Sequence, residues 1–491
     1  MKRWTLLIVI FACTVLQAHA QWKKVGQDMR GEAESERLGY SVSISNDGKI
    51  VAVGAPDNDS NGVLSGRVRV FRYSNGSWEQ MGAGIDGAAN YDNSGYSVAL
   101  SGDGRRVAIG APYNDRGTVD AGHVRVFEWQ QGSWRQLGQD LVGEAIDEVA
   151  GWSVSISDDG NTVAVGTPGY GGDTGAVRIY TLENGMWRQK GSAITGVQSE
   201  QLGWSVSLSA DGNTVAIGAP FNRDVDIGAG QVRVYHYQGG AWEQVGRPIN
   251  GVDVGDRFGW SVSLSDDGNT VAVGAIWGSL NGPNAGQTTV FGLRNGEWQQ
   301  LGQVIKGDVE YENSGASVSL NSDGSVVAVG APRAKDDLSG YVRVYRWMGA
   351  DWTLLEHEIP GEIEGEHSGY AVSLSADGNT VAVGAIYSVV DVVDRGRVRV
   401  YRRKSAATTA IEESTGVEVF TSATDAHVRL LFDRAYREIS IQIIDVQGRV
   451  VYADKWYDTS ELVLHPLTGE GMHFIRICFD GKLLVLPLVR L

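Results

Sequence analysis

Residues 39–56 read GYSVSISNDGKIVAVGAP, and the chain returns to that phrase as GYSVALSGDGRRVAIGAP at 95–112, GWSVSISDDGNTVAVGTP at 151–168 and GWSVSLSADGNTVAIGAP at 203–220. Gly39, Gly95, Gly151, Gly203, Gly259, Gly315 and Gly369 open seven copies, spaced 56, 56, 52, 56, 56 and 54 residues apart. Self-similarity at such a period decides the fold before any single element does. Each copy divides into four short β signals. The first alternates an aromatic or aliphatic residue with serine, a period of two. A turn follows, as at Asp47-Gly48 and Asp377-Gly378, where glycine supplies the positive φ that a hairpin loop requires. The VAVGAP run is apolar throughout and reads as a strand buried on both faces. A VRVF or VRVY strand and a W-x-x-x-G strand complete the unit.

Four antiparallel strands repeated at about fifty-five residues are the signature of a β-propeller blade. The predicted fold is therefore all-β, with a seven-bladed β-propeller over 21–404. Trp78, Trp134, Trp187, Trp242, Trp298 and Trp352 follow the first six copies, but the seventh runs through Tyr401 into Arg402-Arg403-Lys404 without a tryptophan. The missing one is Trp22, in WKKVG, near the other end of the chain. The N-terminal strand is expected to enter the last sheet and close the ring, removing the free edges an open array would expose.

The first twenty residues carry Lys2 and Arg3, an apolar run over 6–12, and Ala18-His19-Ala20, the pattern of a secretory signal peptide at 1–20. A lipoprotein signal ending at Cys13 fits less well, because Phe11 is bulky. No later run of eighteen apolar residues offers a second spanning helix. Without Lys2 and Arg3, the 42 basic residues become 40 against 59 acids, a net charge of −19. With no basic stripe to offset it, that surface disfavours nucleic acid and suits cations, or basic or neutral partners. Cys478 is the one cysteine after residue 20, so no intrachain disulfide is expected in spite of export.

Strand direction places the link into each copy and the link between its second and third strands on one face, with the Asp-Gly hairpins on the other. In the first loop set an acid stands three residues before every opening glycine: Glu36, Asp92, Glu148, Glu200, Asp256, Glu312 and Glu366. Two readings stand for this acidic ring. It attracts cations around the mouth of a central channel, or it accepts hydrogen bonds from turn amides. The second set adds Asp57, Asp59, Asp115, Asp120, Asp173, Asp224, Asp226, Asp336, Asp337, Asp391 and Asp394. Among these, Asp57, Asp59, Asp115, Asp120, Asp224 and Asp226 are candidate oxygen ligands for Ca²⁺; the alternative is that they are turn formers. Arginines recurring in the third strand, Arg69, Arg125, Arg178, Arg233, Arg343 and Arg399, compete for the acids, and Thr289 is the exception. Symmetry breaks where Ile276 and Ile386 replace the proline of GAP. There Trp277, Leu280 and Tyr387 are candidate contacts for a partner or a sugar face. No catalytic motif appears: His123, His236, His357 and His367 stand alone, and no nucleophile elbow is present.

The copies resemble the FG-GAP repeats of integrin α-chain propellers. Phe258-Gly259 matches the first half of that motif, and Gly54-Ala55-Pro56, Gly110-Ala111-Pro112, Gly218-Ala219-Pro220 and Gly330-Ala331-Pro332 match the second. The Asp-rich hairpin that binds calcium in that family is replaced by short SNDGKI or SADGNT turns. The run 21–404 also looks like the FG-GAP-type proteins of bacterial surfaces, which implies a propeller without a defined ligand. After a polar linker at 405–415 the texture changes. Residues 416–491 alternate as strands with Gln447-Gly448 and Asp480-Gly481 turns, a small β-sandwich-like module. Its IxDxxGRxVY and GxxFIRI elements resemble the C-terminal sorting domain of the type IX secretion system of Gram-negative bacteria. That resemblance implies passage through the type IX machinery, followed by surface attachment or release. The combined expectation is a non-enzymatic, secreted or cell-surface binding protein for an extracellular protein or glycan. The alternative is a propeller-fold hydrolase or lyase acting on extracellular polysaccharide.

Overall fold

The computed structural model describes residues 22–334, 337–387, 394–403, 417–421, 428–436, 438–445, 449–457, 459–464, 471–479 and 482–490. The expected signal peptide at 1–20 and linker at 405–415 lie outside them, as do Asp336 and Asp391. The chain is all-β, with one helical turn among the described residues, Tyr170–Asp173. It divides into two compact units, one of them Trp22–Arg403.

That unit holds seven antiparallel five-stranded sheets, a β-propeller architecture. The first copy shows the plan: Ser41–Ile44, Ile50–Ala55, Arg67–Ser74 and Ser77–Gln80 in order, with the short Ile85–Asp86 also pairing Arg67–Ser74. Ile50–Ala55 is buried along its whole length, as an uninterrupted apolar strand between packed sheets must be. In the sheet of the last copy the outer strand is Trp22–Lys24. Trp22 pairs with Arg403 and Lys24 with Tyr401, while Met29–Arg30 supplies the short fifth strand.

Three circles of hydrogen bonds join the sheets. On the hairpin face, backbone N–H groups donate from Asn46 to Gly102, then onward through Asp158, Ala210, Asp266, Ser322 and Ala376, and from Ala376 back to Asn46, at 2.9–3.1 Å. At the periphery, each tryptophan indole donates to a carbonyl of the preceding copy. Trp78 bonds Val25 at 2.8 Å, Trp134 bonds Met81 at 2.9 Å, and the circle ends with Trp22 on Leu355 at 3.3 Å.

Between the innermost strands the third circle explains the serine alternation. Ser43 Oγ accepts from Leu100 N–H at 3.0 Å, Ser207 from Leu264 at 3.0 Å, Ser319 from Leu374 at 2.9 Å, and Ser373 from Ile44 at 3.1 Å. An innermost strand has a free edge of unpaired N–H groups. The serines of the neighbouring sheet satisfy that edge where apolar side chains could not. In the second copy the serine is Ala99, and this circle has its gap there.

The C-terminal unit contains two antiparallel sheets. One has the strands Val417–Thr421, Val428–Tyr436 and Thr459–Leu464; the other has Val450–Trp456, Ile439–Asp445, Gly471–Phe479 and Lys482–Arg490 in spatial order. Ile439, Ile441, Ile443 and Ile477 are buried. Cys478 is exposed and unpaired.

Candidate functional site

The two loop sets meet on one face of the propeller. Tyr91 N–H donates to Val63 at 2.7 Å, Asp147 to Val119 at 3.1 Å, Gly255 to Ile227 at 3.0 Å and Tyr311 to Pro283 at 2.9 Å, so each rim loop is braced by its neighbour.

The seven acids do not form a solvent-facing ring. Glu36, Asp92, Glu148, Glu200, Asp256, Glu312 and Glu366 are each no more than 2% exposed. They lie beneath the rim because the loop folds over them and turns its amides inward. Asp92 accepts from the N–H groups of Ala88 and Ala89 at 2.9 and 2.8 Å, Glu312 from Asp308 and Val309 at 3.0 and 2.9 Å, and Glu200 from Val197 at 2.8 Å. Asn58, Asn114 and Asn222 add side-chain donors to Glu36, Asp92 and Glu200. Third-strand arginines complete several of these clusters: Arg233 grips Glu200 through two bonds of 2.8 Å, and Arg399 grips Glu366 at 2.7 and 3.0 Å.

Five of the six loop aspartates proposed for calcium have their carboxylates engaged by neighbouring groups, and the sixth, Asp120, donates its backbone N–H. Asp57 pairs with Arg37. Asp59 accepts Leu64 N–H at 2.6 Å, Asp115 accepts Asp120 N–H at 3.0 Å, Asp224 accepts Gln231 Nε2 at 2.9 Å, and Asp226 accepts Ile227 N–H at 2.7 Å. Burial and the nearby Asp115 and Asp147 raise the Asp120 carboxyl. Among the described residues, no three His, Cys, Asp or Glu side chains converge as metal ligands would.

The fifth copy departs from this scheme. Thr289 stands where the other six carry arginine, and Gly278 stands where Asn58, Asn114 and Asn222 donate. Asp256 keeps a Gln287 amide at 3.3 Å, and its Oδ1 has no donor among the described residues. Burial, with Asp253 nearby, pushes its carboxyl up to about 6. A folded-state value above the ordinary 3.8 makes ionisation costly. Stability is then highest below the unfolded value and is lost as pH rises through about 6. Asp256→Asn is expected to stabilise the protein by about 2 kcal/mol at pH 7.5. Denaturant midpoints measured across pH should show that gain vanishing near pH 4.

Inside the acids, the residue after the opening glycine in six copies builds a feature that the sequence reading missed. Tyr40, Tyr96, Trp152, Trp204, Trp260 and Tyr370 form an aromatic collar at the start of the innermost strands. Successive centroids are 4.7–5.1 Å apart, each ring turned 45–51° from the last, close to one seventh of a circle. Rings at such spacing, tilted away from a face-to-face sandwich, attract one another. Burial raises the Tyr40 and Tyr370 hydroxyls well above the usual range. The residue two before each opening glycine has a left-handed backbone in all seven copies, φ 49–60°, even where it is Val149. In copy five it is Arg257, whose guanidinium lies between Phe221 at 4.2 Å and Trp277 at 4.7 Å.

Of the contact residues expected from sequence, Trp277 and Leu280 are 39% and 46% exposed. Tyr387 packs edge-on against His367 at 4.9 Å. They belong to a larger apolar population on the same loops. Val63, Val119, Ile227 and Leu338 from one set, with Tyr91, Ile146, Val254 and Tyr311 from the other, are all exposed.

The FG-GAP repeat family model matches residues 85–127 and 250–291, two places in keeping with an FG-GAP β-propeller. No curated protein matches the chain. Among solved structures, a protein of Bacteroides uniformis assigned as a 6-phosphogluconolactonase is similar, with 14% identity and a TM-score of 0.48, over 67% of this chain and 87% of that one.

Proposed function

We propose that the chain is an exported cell-surface or secreted binding protein. In this reading 21–404 form a seven-bladed propeller closed by its N-terminal strand, and its loop face engages an extracellular protein or glycan. The linker 405–415 leads to a β-sandwich sorting domain, 416–491, that addresses the type IX machinery of a Gram-negative bacterium, after the signal peptide 1–20 has directed export.

The observation that carries the binding role is the concentration of exposed apolar side chains on the two loop sets. Water-soluble surfaces rarely gather so many on one face unless a partner covers them. Interleaved aspartates along the rim suit a partner whose rim-facing groups are basic or neutral. Braced loops also leave little ordering entropy to be lost on binding.

Full-length protein and a triple variant, Ile227→Ser, Trp277→Ser and Leu280→Ser, should be compared on a panel of immobilised extracellular proteins and a glycan array. The expected result is binding to at least one class, weakened tenfold or more by the variant at unchanged thermal stability. Equal binding by both proteins contradicts the reading, and release of reducing sugars from a bound polysaccharide would favour the hydrolase or lyase.

A further inference from the structure

The aromatic collar lacks one ring. Six copies place tyrosine or tryptophan after the opening glycine, and the sixth places Ala316. The stack therefore runs from Tyr370 through Tyr40 and Tyr96 to Trp260, and stops on either side of Ala316. Trp260 and Tyr370 are half-buried, each with a ring neighbour on one side only among the described residues.

One guanidinium beside this notch, that of Arg333, has no carboxylate at ion-pair distance among the described residues. Arg257, of the copy before it, points the other way, stacked between Phe221 and Trp277. Its counterpart in the first copy, Arg37, is paired with Asp57. Arg333 belongs to the notch's own copy, and three observations place it there. It follows the Gly-Ala-Pro of copy six at the position from which Tyr113 and Phe221 lean on the collar rings of their own copies, at 6.3 and 5.3 Å. Its N–H donates to the Glu312 carbonyl, four residues before Ala316. Its charge acts on His367, three residues before Tyr370. In a chain of net charge −17, a cation with no carboxylate partner among the described residues, set beside an aromatic gap, suits an anion.

We propose that the notch at Ala316 binds a six-membered ring carrying a carboxylate, stacked against Trp260 and Tyr370 with its acid toward Arg333. An aromatic face buries apolar surface, whether that of another aromatic ring or the C–H face of a pyranose, and guanidinium is the matched partner of a carboxylate. The chemistry is shared by a uronic-acid residue of a glycan and by an aromatic acid. The inference rests on the loop face being a binding surface, and it names the ligand class at its centre.

Titration of full-length protein by tryptophan fluorescence and calorimetry, with tri-galacturonate, a neutral galactose trimer and 4-hydroxybenzoate, tests it. Saturable binding of tri-galacturonate, at least tenfold tighter than the neutral trimer, is expected. Binding of 4-hydroxybenzoate alone would identify an aromatic acid as the source. Ala316→Trp should abolish the binding by filling the notch, and Arg333→Gln, an exposed position with no folding role, should weaken it about tenfold. No binding of either acid, or binding unchanged in Arg333→Gln and Ala316→Trp, overturns the proposal. If the rim triple variant loses its partner while Ala316→Trp keeps it, the docking face stands and the ring subsite falls.

Discussion

Deleting residues 22–31 is expected to destabilise the propeller by on the order of 5 kcal/mol. The segment does more than add a strand. Trp22–Lys24 pairs with Arg397–Arg403, Met29 is 3% exposed in the core beside Val398 and Val400, and Val25 accepts the Trp78 indole. Gln27 holds the Trp78 backbone from both sides, donating to its carbonyl at 2.7 Å and accepting from its N–H at 3.0 Å. The deletion thus strips the seventh sheet of its outer strand and the first sheet of its lateral support, and it leaves an open edge that invites self-association. Denaturant midpoint and light scattering report the two effects. An unchanged midpoint would mean that the segment closes nothing.

The second large effect lies in the buried pair of the seventh copy. Glu366 has 0% exposure and Arg399 2% at the side chain, with contacts of 2.7 and 3.0 Å between them and Asp28 on the arginine Nε at 3.4 Å. Desolvation works against such ions, but the carboxylates overcome it and hold the Arg399 guanidinium above its ordinary value. Removing one partner leaves a buried charge without compensation, so Arg399→Met should cost about 3–5 kcal/mol. The double variant Glu366→Gln with Arg399→Met should recover much of that loss, since two neutral side chains have no charge to desolvate. A double variant no more stable than Arg399→Met would place the loss in packing.

Much of this architecture is legible in one stretch of eighteen residues repeated along the chain. The VAVGAP run can only be a strand covered on both faces, and a tryptophan missing from the tail but present at the head points to strand exchange between the ends. The function of the serines is harder to see. In a single strand, alternation reads as one wet and one dry face; here the serine hydroxyls meet the next sheet, a contact more than fifty residues away that no local pattern encodes. The recurring acid carried both of its readings because the same residue type serves an exposed cation site and a buried amide acceptor. Burial, a property of the assembled loops, separates the two. The collar had a signal in the Tyr or Trp after six of the seven opening glycines, but it looked like ordinary strand alternation until rings from different copies were brought within 5.1 Å.

Closure by the two ends is tested most directly with a cross-strand cysteine pair. Lys23 lies opposite Arg402, as Glu79 lies opposite Arg72 in the first copy. In a background with Cys478→Ser, mild oxidation of Lys23→Cys with Arg402→Cys should give an intrachain disulfide in monomeric protein, while Lys23→Cys with Arg72→Cys should give none. An absent crosslink in the first pair, or one that forms only between chains, would contradict a ring closed by its own N-terminal strand.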